Sequence, residues 1–587
     1  MGYEVGRIIE VRGLSVKAKL NELLPPYLTK NGKRENSPKI NGFVKTKVGL
    51  DAIICQVTGE YSEEINGKVS SHFLELQVRG NITNGRFIQG LRMLPIVSAK
   101  IETLDESDFS IIYRNDNNSI SLGYDLFDES KKINIDINSL IPTHIGVFGN
   151  TGSGKSNTLV KILNEYCKII KDNKTKRGKF VVFDINNEYS RNAICDEKDK
   201  EIYNLKTRTD TGDKIPISIT DFAEDEFVVF MNASEKTQVP VIKTAYKNTF
   251  NKDSIKPEEY YLNSIRRMIK DGRKNLFLSM RHYLSDYFRG IDGFKYHTKN
   301  GEFFYQESSN SIKIYLSEPA FEDKLNDIKV KLPNNKLDRF LFELYFAVAY
   351  ENENGIQIDF MMPLLSRANK LFSDFKKVFD FSEKKDLNKE LFKGKNVSIV
   401  QLGNVNKDMK EIIPTIISEH IFNRLVETKE NKENIIQVIN IVIDEAHNIL
   451  YDEKNQNSSH KNTLETFEKI VKEGRKFGCF LMLASQRPSD ISSTIISQLH
   501  NYFIHKLVNP SDLSKIRSAV AYLDSYSLDF ITVLAPGECV VSGTAFQMPT
   551  FLYVNRTEKT NWPNSENAKL LGEGGLFSLQ KADDDLI

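Results

Sequence analysis

The sequence predicts an α/β protein: a parallel sheet with a glycine-rich loop, a small β-barrel before it and a helical insertion within it. Three observations lead there. At residues 144–158 (HIGVFGNTGSGKSNT) a short apolar strand runs into a glycine loop and a helix start. Further apolar runs recur along the chain, several ending in acidic or polar residues, as buried parallel strands do. The first hundred residues instead read as short β-rich segments separated by turns.

The chain has 587 residues and 40% apolar residues, which predicts roughly three or four structural units. The divisions expected are a barrel at 1–104, a first core part at 105–250, a helical insertion at 251–390, a second core part at 391–556 and a tail at 557–587. With 80 basic and 79 acidic residues the chain is not a global polyanion binder, so any nucleic-acid surface is local. The cysteines Cys55, Cys167, Cys195, Cys479 and Cys539 show no metal or disulfide spacing, which fits a reducing compartment. No apolar run approaches the roughly 18 residues of a membrane span, and the N-terminus lacks an apolar signal segment. A cytoplasmic protein without a membrane partner is expected.

In the barrel, strands are predicted at 4–12, 51–57, 72–78 and 96–101, with turns at Asn66-Gly67 and Asn84-Gly85. Residues 105–141, rich in Asp, Asn and Ser, read as a connector with a turn at Gly123. Next comes the glycine loop, where Gly149, Gly154, Lys155 and Ser156 fit G-x-x-x-x-G-K-[ST]. Glycines let successive backbone N–H groups turn inward around phosphate oxygens, and the helix N-terminus adds about half a positive charge. The loop Gly149, Asn150, Thr151, Gly152, Ser153 and Gly154 is therefore expected to hold a nucleotide, with Lys155, Ser156 and Asn157 opening the helix. Lys155 would reach the β/γ-phosphates and Ser156 would ligate Mg²⁺.

A second strand at 179–183 delivers Asp184, and Glu188 follows. These carboxylates either orient Mg²⁺ and water or cap a turn. Residues 258–351 turn helical, with Arg266, Arg267, Arg273, Lys274 and Arg281 between apolar positions. They read as a solvated face more readily than as phosphate contacts. The sheet resumes at 397–402 and at the apolar run 435–443, which ends in Asp444-Glu445-Ala446-His447. Asp444 is expected to hold Mg²⁺ through water and Glu445 to act as general base. A strand at 479–484 leads to Gln486, placed to sense a γ-phosphate. Arg475 precedes that strand and is either an arginine finger for a neighbouring site or a charge at a helix C-terminus. Residues 502–507 read as an edge strand, 537–541 and 548–554 as final strands, and 561–587 as a mobile tail or an arm.

Taken in order, these pieces resemble the HerA family of hexameric ATPases, relatives of FtsK-type DNA pumps. The matching segments are the barrel, GNTGSGKSNT (149–158), FDINNEY (183–189), ASEKTQVP (233–240), VIDEAHN (442–448), EGRKFG (473–478), ASQRPSD (484–490) and GTAFQMP (543–549). The resemblance implies a RecA-like P-loop core, a homohexamer with ATP and Mg²⁺ held between subunits, and translocation or unwinding of double-stranded DNA. It implies Lys155 and Ser156 on phosphate and metal, Glu445 as base, Gln486 as sensor and Arg475 acting in trans, with Arg367 a competing candidate. It also implies a partner effector, a nuclease or a Sir2-like NADase, as in antiphage complexes. The Asn/Lys bias of the loops fits a low-GC bacterium and that defence setting. The alternative is a ring scaffold that assembles such an effector under ATP control. A monomeric DEAH-type helicase is excluded because no second tandem core follows the DEAH residues, and a conjugation-type coupling ATPase would carry membrane helices.

Overall fold

The computed structural model describes residues 2–563 except 31–32, 66–67, 91–92, 114–118, 174–177, 308–311, 382–385, 433–434, 436, 453–457, 521–522, 524 and 547. The turn expected at Asn66-Gly67 and the tail beyond residue 563 lie outside the described residues.

Glu4–Arg12 (β1) and Ser15–Leu20 (β2) form a hairpin. Phe43–Val48 (β3), Asp51–Ile65 (β4) and Lys68–Thr83 (β5) form a meander, and Lys100–Thr103 (β6) pairs with both β1 and β3. β2 pairs with β5, which closes six strands into a barrel. Closure leaves these strands no open edge. Side chains alternate in and out: Val16, Ala18 and Leu20 of β2 are buried, whereas Ser15 and Lys19 are exposed. The interior also holds Val5, Ile8, Val44, Ile53, Leu74 and Ile101. The strand expected at 96–101 starts later, at Lys100; Pro95 and the left-handed Ser98 (φ 71°) interrupt the apolar run before it.

The stretch 105–141 is not a bare connector. Helix Glu106–Tyr113 (α1) follows the barrel, where the buried ammonium of Lys45 pairs with Asp105 (3.1 Å) and Asp108 (2.5 Å). Ser119–Asp125 (β7) and Asp128–Asp136 (β8) form a hairpin that joins the large sheet. Its polar composition mimicked a loop, yet Ile120, Leu122, Ile133 and Ile135 alternate into the core. Gly123, expected at a turn, lies inside β7, where the Tyr553 backbone leaves no room for a side chain.

The remaining strands of that sheet are Ile145–Phe148 (β9), Gly178–Asp184 (β10), Lys200–Asn204 (β11), Val397–Gln401 (β12), Val438–Ile443 (β13), Cys479–Ser485 (β14), Asn501–Ile504 (β15), Glu538–Gly543 (β16) and Thr550–Val554 (β17). The 11-stranded order is β8-β7-β17-β16-β15-β9-β14-β13-β10-β12-β11. Strands β15 through β11 run parallel, and the β16–β17 and β7–β8 side is antiparallel.

Both faces of the central strands are covered, which explains their unbroken apolar runs. Val181, Phe183, Ile439, Ile441 and Ile443 enter one core with helices Lys407–Lys432 and Ser458–Glu473. Phe180, Val182, Val442 and Met482 enter the other, against Leu159 and Leu163 of helix Lys155–Asn173 (α2). The segment 502–507, read as an edge, is interior: β15 lies between β9 and β16 and its residues are buried. His505 and Lys506 gave the run its polar end and so the appearance of an edge.

The insertion is mixed rather than purely helical. Beside helices such as Glu258–Lys270 and Lys336–Glu353 it holds a small antiparallel sheet of Phe294–His297, Glu302–Tyr305 and Ile314–Tyr315. Its basic residues have partners within the chain. Arg266 pairs with Glu259 (3.1 Å), Arg267 with Glu353 (3.5 Å), and Arg281 donates to the Phe294 carbonyl.

Candidate nucleotide site

The site forms where β9, β13 and β14 end, because parallel strands deliver their following loops to one edge of the sheet. The glycine loop leaves β9 and enters α2. Gly152 (φ 76°) and Gly154 (φ 114°) take backbone conformations that a side chain would oppose. A Cβ on Gly154 would also press on the backbone of Gly537 at 3.0 Å. The loop is braced from both sides. Asn150 donates its amide to the Lys506 carbonyl (2.8 Å), and the Gly537 amide donates to the Ser153 carbonyl (2.8 Å). Lys155 Nζ folds back onto the Asn150 carbonyl (3.2 Å). Ser156 and Asn157 follow in the first turn of α2.

Beneath the loop sits a residue that sequence reasoning missed. His505 is wholly buried; its Nδ1 donates to the Glu538 carbonyl (2.8 Å). A carbonyl only accepts, so Nε2 is the bare nitrogen and takes the Thr158 hydroxyl (2.9 Å). Burial pushes its pKa down to about 4, which keeps this neutral arrangement. A lone histidine after an apolar strand carries no sequence signal for that role.

Across β14 from the loop lie the acids. The strand spacing of about 4.8 Å puts β9 and β13, on either side of β14, about 10 Å apart. Asp444 is buried at the end of β13. Its Oδ1 accepts the Glu445 amide (2.9 Å) and its Oδ2 the Tyr189 hydroxyl (2.5 Å). Glu445 is left-handed (φ 49°), a conformation uncommon outside glycine that ends the strand abruptly. The Gln486 backbone lies close enough to its carboxylate to hold the carboxyl's pKa down against burial. Gln486 Oε1 in turn accepts the Thr151 hydroxyl (2.5 Å). The loop, the Asp444-Glu445 pair and Gln486 are thus brought together.

Asp184 plays a local part. Its two oxygens accept the amides of Glu188 and Tyr189 (2.9 Å each), so it holds the turn that carries both residues. Glu188 is raised to about 7, first by burial and then by nearby Asp444. Burial also raises Asp444 and Glu445, while Lys155 pulls both down. Lys155 is lowered by burial against the attraction of Glu445, Asp444 and Glu188. One lysine therefore faces three carboxyl groups at the edge of the phosphate loop. Glu188 Oε2 is buried with no hydrogen bond, and Glu445 Oε2, likewise without one, has the His447 ring nitrogen at 3.3 Å. Buried carboxylate oxygens left so are costly, and hard oxygen donors with excess negative charge suit Mg²⁺. The residues fit a magnesium nucleotide: Ser156 and Asp444 would hold the metal, which would supply charge neutralisation at the phosphates.

Arg475 lies elsewhere. It is exposed in the turn Gly474–Lys476, before β14, whereas Gln486 follows the strand's other end. Seven strand residues at about 3.3 Å each separate the two by about 20 Å. Arg475 stands near His500, at the opposite rim of the sheet from the loop. Arg367 is tied down: Nε donates to the Met231 carbonyl (2.7 Å) and Nη2 to Gln238 Oε1 (2.8 Å).

The family described as "Helicase HerA, central domain" matches residues 120–421, a little over half of the chain. The chain belongs to the HerA helicase family. As a member it is a P-loop ATPase, with the loop at 149–156 in the position just described. Individual HerA relatives are distant. The DNA double-strand break repair helicase HerA of Sulfurisphaera tokodaii is 23% identical over 470 residues, covering 79% of this chain and 74% of that one. The protein of the same name from Pyrococcus furiosus is 23% identical, covering 84% and 79%. Among solved structures, the bacterial conjugative coupling protein TrwBdeltaN70 aligns with TM-score 0.42 and 13% identity over 84% of this HerA-family chain and 99% of that one. Among the described residues no helix is long and apolar enough to cross a membrane.

Proposed function

We propose that the chain binds ATP with Mg²⁺ and hydrolyses it to move along or unwind double-stranded DNA, as a homohexamer whose sites lie between protomers. The observation that carries the reading is the convergence of Lys155, Asp444, Glu445 and Gln486 at three neighbouring strand ends, joined by the Thr151–Gln486 hydrogen bond. In this reading the loop amides and Lys155 hold the β/γ-phosphates. Glu445 accepts the proton of the attacking water, and Gln486 orients that water. The names of the HerA relatives, DNA double-strand break repair helicases, support DNA as the substrate.

The ring rests on Arg475. A guanidinium about 20 Å from its own chain's Gln486 does not serve that site, but an exposed one can serve a neighbour's. Arg367, bound to Met231 and Gln238, is the less available candidate. We place the ring in the cytoplasm, in keeping with five free cysteines. A partner effector, nuclease or Sir2-like NADase, belongs to the same reading, extended to antiphage defence. The exposed apolar run Met93, Leu94, Ile96 and Val97 is surface of the kind partners cover. Mass spectrometry of the complex that co-purifies with the chain tests that part.

The test of the activity is ATP turnover with Mg²⁺, with and without duplex DNA, on chain confirmed as a hexamer. Turnover stimulated by DNA is the expected result. A hexamer that hydrolyses no ATP under either condition overturns the reading.

A further inference from the structure

The turn after β10 reaches the acid at the end of β13. Tyr189 is wholly buried, its ring packed in the core on the α2 side of the sheet. Its hydroxyl lies 2.5 Å from Asp444 Oδ2, across 255 residues of sequence. A phenylalanine would fill the same volume without a polar group to desolvate, so burying the hydroxyl is productive only through the bond it donates. The turn that holds it is fixed at several points. Asp184 Oδ2 accepts the Tyr189 amide (2.9 Å), and Asp184 Oδ1 accepts the Glu188 amide (2.9 Å). Asn187, left-handed at φ 62°, accepts the Gly403 amide on its Oδ1 (2.9 Å), which ties the turn to the chain beyond β12. The hydroxyl is therefore presented from a rigid loop and not from a free rotamer.

Asp444 receives one donor on each oxygen, the Glu445 amide on Oδ1 and Tyr189 on Oδ2. A carboxylate oxygen has two lone pairs, so each keeps one direction open. With both oxygens held, the plane of the carboxylate is set before any ligand arrives.

We propose that Tyr189 is a positioning residue for the metal: its hydroxyl, held by the Asp184 turn, locks the Asp444 carboxylate in the orientation that receives a magnesium-bound water. The inference rests on the reading above in which Asp444 holds Mg²⁺. Outer partners of metal-binding carboxylates commonly alter metal affinity by 10–100-fold when removed. The effect should fall on magnesium dependence and spare nucleotide recognition, since the loop and Lys155 are not touched.

The experiment uses the full chain and a fluorescent ATP analogue, titrated in EDTA and then over a range of Mg²⁺. For Tyr189→Phe, affinity in EDTA should stay within about twofold of the parent, and the Mg²⁺ needed for half-maximal tightening should rise about 10-fold or more. Asp444→Asn should abolish the Mg²⁺-dependent tightening. In the Asp444→Asn background, adding Tyr189→Phe should change nothing further. If Asp444→Asn loses the dependence while Tyr189→Phe keeps the parental value, the positioning role alone is overturned. If Tyr189→Phe weakens binding equally in EDTA and Mg²⁺, or fails to yield folded chain, the hydroxyl is structural and the proposal is overturned. If Asp444→Asn retains parental dependence, the magnesium assignment falls and this inference with it.

Discussion

The hydroxyl of Thr151 in the glycine loop donates to Oε1 of Gln486 at 2.5 Å, which joins the ends of β9 and β14. The bond occupies Oε1 and leaves the Gln486 side-chain nitrogen to donate, and in the proposed site that nitrogen would face the terminal phosphate. Gln486→Ala should therefore cost turnover more than binding. A loss in kcat of roughly 10²-fold, with nucleotide affinity within a few-fold of the parent, is expected from steady-state kinetics and a binding titration. An equal loss in both would mean that Gln486 only braces the loop.

Lys155 is held among Glu445, Asp444 and Glu188 in addition to the Asn150 carbonyl. Replacing it by alanine removes the ammonium that attracts those three acids and weakens what offsets their repulsion toward a nucleotide. Lys155→Ala should abolish measurable ATP binding by calorimetry at concentrations where the parent saturates.

Arg475 stands at the far end of β14 from Gln486. Chains carrying Arg475→Ala mixed with chains carrying Lys155→Ala should recover part of the ATPase activity that neither has alone. Of the two kinds of mixed seam, the one that takes its loop from the Arg475→Ala chain and its arginine from the Lys155→Ala chain has both intact. Activity that stays absent in every mixture assigns Arg475 to its own chain's turn.

His505 gives a pH signature. Its folded pKa of about 4 lies below the ordinary value of 6.5. Between those values the unfolded chain takes a proton that the folded chain refuses, so this residue's contribution to stability is full above about pH 6.5 and falls as the pH drops toward 4. The full loss is about 3 kcal/mol. Asp184, raised to about 6 by burial, acts in the opposite sense within the same range. The comparison must therefore be between parent and His505→Ala, by urea melts from about pH 7 to about pH 4.5. The stability gap between them should narrow as the pH falls; a constant gap contradicts the buried neutral histidine.

What the sequence made legible was local. The spacing of Gly149, Gly154, Lys155 and Ser156 and the acids after an apolar run can be read within a dozen residues, and so can the alternation of Val16, Ala18 and Leu20 in the barrel. What stayed hidden depends on pairing between distant segments. The β7–β8 hairpin read as a connector because its polar residues are visible in sequence, whereas its partner, β17, is more than four hundred residues away. β15 read as an edge because a polar residue at a strand's end looks solvated until Thr158 and Glu538 are seen to satisfy His505. Tyr189 could be quoted within FDINNEY but its contact with Asp444 could not, since register across a sheet is fixed by tertiary packing.

The central claim is that Glu445 faces a nucleotide held by Lys155 and takes a proton from water there. Single-turnover hydrolysis of radiolabelled ATP by Glu445→Gln, on chain shown to bind Mg-ATP, tests it most directly. The account predicts binding within a few-fold of the parent and hydrolysis slowed by roughly 10²- to 10⁴-fold. Hydrolysis at the parental rate would contradict it.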